Sequence, residues 1–226
     1  MRASGASVPL ETAALQVFPQ RSLYRRFGKR TVDALLGLTL LLLAAPIILV
    51  LALVVGATSG FPPFYAATRV GKDGRPFRMW KLRSMVKDAD AVLQRWLDEG
   101  TQEGAAYAQD YKLRDDPRVT AVGRILRKTS LDELPQLWNV VRGDMSLVGP
   151  RPIVADELEM YGSERDLLLS VRPGVTGLWQ VEGRNAIDYP QRAHVELDYV
   201  GRVSLLEDVR LLALTAPIVL LKRNGV

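Results

Sequence analysis

ALLGLTLLLLAAPIILVLALVVGA, residues 34–57, is the stretch on which the fold turns. It holds no charged residue, and coiled as a helix it is long enough to span the roughly 30 Å hydrocarbon core of a bilayer. Pro46 lies at its middle. Proline removes one backbone donor and clashes with the preceding turn, so it bends or breaks a helix. A secretory signal does not fit, because the run is too long, begins late and ends without an A-x-A site.

The flanks decide how such a run can sit. Arg21, Arg25, Arg26, Lys29 and Arg30 precede it, and Arg69, Lys72, Arg75, Arg78, Lys81, Arg83 and Lys87 follow. Basic flanks favour the cytoplasmic side, and one straight crossing cannot put both there. A helix broken near Pro46 can, by entering and leaving through the same leaflet. The other reading is an ordinary single-span anchor, since many spanning helices carry proline. A second apolar stretch, residues 211–221, is too short to cross. It reads either as an amphipathic helix on the membrane surface or as a buried core helix.

Composition narrows the chemistry. Thirty Lys and Arg against 25 Asp and Glu give a formal charge of +5. That mild excess suits an anionic membrane face or phosphate-bearing substrates rather than a nucleic-acid grip. The absence of cysteine removes disulfides, thiolate catalysis and Cys-ligated zinc. The single histidine, His194, has no partner at helical spacing and reads as incidental surface. Acids, bases and nucleophiles must come from Asp, Glu, Lys, Ser, Thr or Tyr.

Outside the apolar run, residues 1–20 lack periodicity and read as a loose tail. Segments 65–70 and 77–82 read as strands joined by a turn at Gly71-Lys72-Asp73-Gly74. Segment 88–99 reads as a helix and 100–117 as a polar loop or loosely held helix. Segment 135–141 reads as a helix opened by proline and closed by Gly143, with 130–134 a separate turn before it. Short strands are expected at 145–148 and 178–181, and helices at 157–161 and 163–170. The fold class is therefore α+β, mostly helical, with a small β-hairpin.

Chemistry concentrates in RKTSLDELPQLWNVVRGDMSLVGPRP, residues 127–152. Asp132 and Glu133 are adjacent carboxylates, Arg127 precedes them, and Arg151 stands between Pro150 and Pro152. Carboxylates can hold magnesium, which takes one or two of them plus phosphates. A carboxylate can also attack phosphorus to form an acyl phosphate, and two arginines can clamp a transferring phosphate. A purely structural reading fits the same residues. Ser130 and Glu133 have capping-box spacing, and Asp132 would then favour the first turn of a helix. Arg172, Arg184, Trp138 and Trp179 are each read as surface charge or packing.

Four blocks carry a resemblance: KRTVD at 29–33, FRMWKLRSM at 77–85, DDPRVTAVGRILRKTSLDELPQLWNVVRGDMSLVGPRP at 115–152, and VRPGVTGLWQVEGR at 171–184. Together they resemble the bacterial sugar transferases, monotopic polyprenyl-phosphate phosphoglycosyl transferases. Within that family the chain looks most like the exopolysaccharide-initiating galactosyl-phosphate transferases. The resemblance implies a tail over 1–28, a re-entrant membrane helix over 29–58 broken at Pro46, and a catalytic domain over 59–226. Amphipathic helices would hold that domain on the cytoplasmic face of the inner membrane. It implies Asp132 as nucleophile, Asp132 and Glu133 as magnesium ligands, and Arg127, Arg151 and Lys81 as substrate phosphate-binding residues.

The implied reaction moves a sugar 1-phosphate from a UDP-sugar to polyprenyl (undecaprenyl) phosphate and releases UMP. Its setting is the first membrane step of exopolysaccharide or related glycan synthesis. A homodimer and downstream glycosyltransferases are further partners the resemblance admits. A membrane phosphohydrolase and a non-catalytic assembly scaffold are the alternatives. One departure is visible: many members have Ser-Pro at the helix break where this chain has Ala45-Pro46, so the bend would draw on other groups, for instance the Thr39 hydroxyl.

Overall fold

The computed structural model describes residues 22–110, 113, 115–182 and 189–220. The expected tail over 1–20, Arg21, Arg184 and the basic end at Lys222 and Arg223 lie outside these. Tyr24–Gly28 is a π-helical turn that runs straight into helix α1, Lys29–Ser59. It is held because Tyr24 and Arg25 find partners in the domain: Tyr24 Oη donates to Asp208, and Arg25 donates to the Val200 carbonyl and Ser170 Oγ.

Helix α1 runs on through Pro46 without interruption. Its 31 residues would measure about 46 Å if straight. Leu35, Leu42, Leu43, Ile47, Leu49, Val50 and Leu53 are exposed along one side. The other side is a stripe of contacts: Asp33, Gly37, Ala52, Val55 and Gly56 are buried, and Leu41 and Ala44 pack against the main core. That spacing of three and four residues marks one helical face laid against the domain. The Thr39 hydroxyl does not compensate the proline, because it donates to the Leu35 carbonyl one turn back.

Both ends of α1 are fastened to the same body. At the start, Lys29 pairs with Asp208 at 2.6 Å and Arg30 donates to the carbonyls of Val140 and Val141. At the finish, Arg83 donates to the carbonyls of Ser59 and Gly60.

A hairpin follows. Strands β1 (Phe64–Val70) and β2 (Pro76–Leu82) pair antiparallel with Tyr65 opposite Lys81. The helical layer comprises α2 (Ala89–Asp98), α3 (Gln102–Asp110), α4 (Ala121–Lys128) and α5 (Gln136–Arg142). Short strand β3 (Ser146–Val148) lies parallel to β4 (Gly174–Thr176), with α6 (Arg165–Leu169) between them in sequence. The chain closes with α7 (Leu178–Glu182), α8 (Gln191–Arg202) and α9 (Leu205–Leu220).

One expectation is corrected. Segment 178–181 is helical, because the strand that pairs with β3 lies earlier, at 174–176. Of the two readings of 100–117, loop or loosely held helix, the helix holds over Gln102–Asp110, which is α3, opened by Thr101 Oγ1, which accepts from Gly104 N. Helix α9 carries the apolar stretch as far as Leu220: Leu211 is fully buried in the core while Leu205, Leu206, Val209 and Leu214 are exposed.

The core joins β3, α5, α8 and α9 through Val140, Met145, Leu147, Val148, Tyr199, Val200 and Leu211. Asn139, fully buried on α5, locks the helix to β2: its Oδ1 accepts from Trp80 N and its Nδ2 donates to the Arg78 carbonyl.

Candidate active site

The carboxylate pair sits on a short 3-10 turn, Leu131–Glu133, between α4 and α5. Ser130 adopts a left-handed backbone (φ 56°) and makes no side-chain cap. The capping-box reading therefore fails, and Glu133 points elsewhere. Its Oε1 accepts from Lys81 Nζ at 2.7 Å, joining the turn to β2. This ion pair is partly open to solvent, so it adds little to stability. Its effect is to bring a cation beside the pair.

Asp132 is buried, 5% exposed. Loss of hydration pushes its carboxyl above the ordinary aspartate range; Lys81 and Arg127 pull it back, and Glu133 adds to the rise. A buried carboxylate whose desolvation two cations do not fully offset favours the approach of further positive charge. Asp132 and Glu133 offer oxygen donors only, and among the described residues no cluster of three or more metal-binding side chains exists. That donor set fits magnesium, which uses one or two protein carboxylates and completes its shell with phosphates and water.

Arg127 lies in the last turn of α4, where its Nε donates to Ser84 Oγ at 2.9 Å. Helix α4 reaches that position because residue 123 is glycine: a Cβ there would stand 1.8 Å from the Ser84 carbonyl oxygen. Thr120 caps the helix, its side chain accepting from Gly123 N. Ser84, the serine of KLRSM, is thus a supporting residue that sequence reasoning did not single out. Its only signal was its place three residues after Lys81.

Arg151 follows β3, and glycines set its loop. A Cβ on Gly174 would come 2.1 Å from Gly149 N, and one on Gly177 would come 2.1 Å from Gly149 O. The VGPRP and RPGVTG segments can therefore meet only through bare backbone, with Gly149 N donating to the Thr176 carbonyl and Gly174 N to the Pro150 carbonyl. The hairpin joins from the other side, where Val70 N donates to the Ile153 carbonyl. The Arg151 guanidinium lies over the Trp179 ring at 5.4 Å. Its Nε is buried and makes no hydrogen bond. Burial lowers its proton affinity, as does the nearby Arg192, while Glu157 and Glu133 oppose this.

The structure therefore joins Lys81 and Glu133 directly, with Arg127 and Asp132 in the same field. Arg151 feels the Glu133 charge without bonding to it. Pro46 is remote from this cluster in role, lying midway along α1.

Comparison with known proteins agrees with the four sequence blocks. The chain is 48% identical over 200 residues to an undecaprenyl-phosphate galactose phosphotransferase of Salmonella typhimurium, covering 88% of this chain and 42% of that protein. It is 42% identical over 218 residues to the exopolysaccharide production protein ExoY of Sinorhizobium fredii, covering 96% and 94% of the two. A UDP-glucose:undecaprenyl-phosphate glucose-1-phosphate transferase of Escherichia coli is 38% identical over 199 residues, 84% of this chain and 39% of that one. The chain thus spans about two fifths of the Salmonella and Escherichia relatives and nearly all of the Sinorhizobium one. With the bacterial sugar transferase profile matching residues 24–222, this chain belongs to the bacterial sugar transferase family.

Proposed function

We propose that the chain transfers a sugar 1-phosphate from a UDP-sugar to polyprenyl phosphate through a phosphoaspartyl intermediate. The observation that carries this reading is the buried Asp132 beside Glu133, Lys81 and Arg127, in a domain fastened along a long apolar helix. An Asp132 oxygen attacks the sugar-bearing phosphorus, the bond to the leaving phosphate breaks, and UMP departs. A phosphate oxygen of the polyprenyl carrier then attacks the same phosphorus and frees Asp132, giving a lipid-linked diphosphate sugar. Arg127 and Arg151 hold the non-reacting phosphate oxygens, and Lys81 keeps Glu133 placed. Asp132 and Glu133 would hold magnesium, which supplies charge neutralisation at the diphosphate when bound.

The same geometry supports a membrane placement. A straight crossing would separate the ends of α1 by the whole bilayer, whereas Lys29, Arg30 and Arg83 tie both ends to one domain. We therefore place the domain on one face, the cytoplasmic one by its basic flanks, with the exposed side of α1 dipping into a single leaflet. A site at that surface meets the carrier's phosphate without extracting its tail.

The covalent step has a direct test. Purified protein given a UDP-sugar and labelled UMP, with no lipid acceptor, should exchange label into the UDP-sugar. Asp132→Asn should abolish both exchange and transfer. Exchange persisting in a deamidation-free Asp132→Asn protein would remove Asp132 as nucleophile and favour direct transfer in a ternary complex.

A further inference from the structure

Beneath the Pro150-Arg151-Pro152 loop lies a second buried charge cluster that the reaction does not use. Glu196 on α8 is wholly buried, 0% exposed, and both its carboxylate oxygens stand 3.2 Å from Arg151 N. One turn earlier, Arg192 is also buried. Its guanidinium stacks on Trp179 at 4.6 Å and on Tyr189 at 4.8 Å. Glu157 holds it from the other side: Oε2 accepts from Arg192 Nη2 at 3.4 Å and from Tyr189 Oη at 3.0 Å, while Oε1 accepts from Val154 N. The Trp179 ring is shared, because the Arg151 guanidinium lies over it too.

The choice of contact is informative. A buried carboxylate next to an arginine ordinarily takes the guanidinium in a paired, charge-assisted bond. Glu196 instead accepts from the main-chain N–H of Arg151, and among the described residues no hydrogen bond engages the Arg151 guanidinium. This arrangement fixes the backbone and the ring beneath the side chain while leaving its donors for a ligand. It also supplies a compensating negative charge at a distance, so that two guanidinium groups tolerate the same indole.

We propose that Glu196 is a positioning residue for Arg151, setting the height and direction from which that guanidinium meets the diphosphate, with Arg192 holding the shared Trp179 ring. The proposal rests on the reading of Arg151 as a phosphate-binding residue. Its burial also leaves Glu196 sensitive to proton uptake, with desolvation pushing its carboxyl up to about 7.

The test compares wild type, Glu196→Gln, Arg192→Lys, Arg151→Ala and the two double variants with Arg151→Ala. UDP affinity is measured by calorimetry in magnesium buffer, alongside kcat and KM for the UDP-sugar. Glu196→Gln keeps the shape and one acceptor oxygen but removes the charge, and it should weaken UDP binding about tenfold. KM for the UDP-sugar should rise in step, while KM for polyprenyl phosphate stays within about twofold. Arg192→Lys keeps charge but loses the planar stack and should act in the same direction. Neither change should weaken UDP binding further once Arg151 is alanine, because each acts through Arg151. An undiminished loss in the Arg151→Ala background, or no loss in either single variant, overturns the inference. If Glu196→Gln does not fold, the Arg192→Lys pair of measurements decides alone. A wild-type protein that neither binds UDP nor releases UMP overturns the underlying reading of Arg151, whereas a competent wild type matched by its variants overturns only the positioning role.

Discussion

Asp208→Leu is the perturbation whose size the structure specifies most fully. The Asp208 carboxylate, 4% exposed, accepts from Lys29 Nζ at 2.6 Å, Tyr24 Oη at 2.6 Å and Tyr199 Oη at 2.7 Å. Removing it strands the Lys29 ammonium in a site only 9% exposed. Breaking one half of a buried pair costs about 3–5 kcal/mol, because the remaining charge has no compensation. The two hydroxyls add about 1 kcal/mol each, although Tyr199 can turn to the Val148 carbonyl, 3.0 Å away. The expected total, roughly 4–7 kcal/mol, approaches the whole stability of many domains. Lys29→Met combined with Asp208→Leu removes both charges and should recover most of the loss, since an apolar pair of similar volume is tolerated. The assay is denaturant unfolding in detergent micelles, followed by tryptophan fluorescence, for both single variants and the double. A single-variant loss below about 1 kcal/mol would refute the argument. So would a double variant as unstable as the sum of the singles.

Cysteines placed at Arg26 and Lys72 in this cysteine-free chain should both react with a membrane-impermeant thiol reagent from the cytoplasmic side of oriented vesicles; labelling from opposite sides would exclude the one-face placement. Glu196 predicts a pH effect on stability. Burial raises its carboxyl from an ordinary 4.5 to about 7 in the folded chain. Between those values the folded state keeps a proton that the unfolded state has lost. Stability is therefore full below about pH 4.5 and falls as pH rises through 7, by on the order of 3 kcal/mol; the slope should flatten in Glu196→Gln, and equal slopes would refute the assignment. Gly123→Ala should lower transfer and cost about 1–3 kcal/mol by overpacking against the Ser84 carbonyl, read by melting and by UMP release together.

What the sequence disclosed was local. The apolar run, the hairpin around Gly71-Lys72-Asp73-Gly74, and the helix bounded by Pro135 and Gly143 are each set by neighbours within a few positions. Helix α3 stayed open between loop and helix because its residues are mostly polar and small, with little apolar periodicity to read. The strand expected at 178–181 was displaced because bare backbone at Gly149 and Gly174, 25 positions apart in the chain, fixes the β3–β4 register. At the site, the 127–152 motif marked Arg127, Asp132, Glu133 and Arg151, and the family resemblance added Lys81. The residues that hold them, Ser84, Asn139, Glu157, Arg192 and Glu196, act across long sequence separations, where no spacing rule applies.

The Lys29–Asp208 pair joins residues 179 positions apart. A ribosome adding about 5–20 residues per second takes roughly ten to thirty-five seconds between them. Throughout that interval the apolar helix exists without the carboxylate that holds its first turn. Lys29 spends its early life as an unpaired cation next to a hydrophobic segment, free to rest against acidic headgroups. The fastening at the far end, through Arg83, becomes available much sooner. The order of synthesis thus fastens the end of α1 before its beginning, and the helix is held to the domain at both ends only once α9 has emerged.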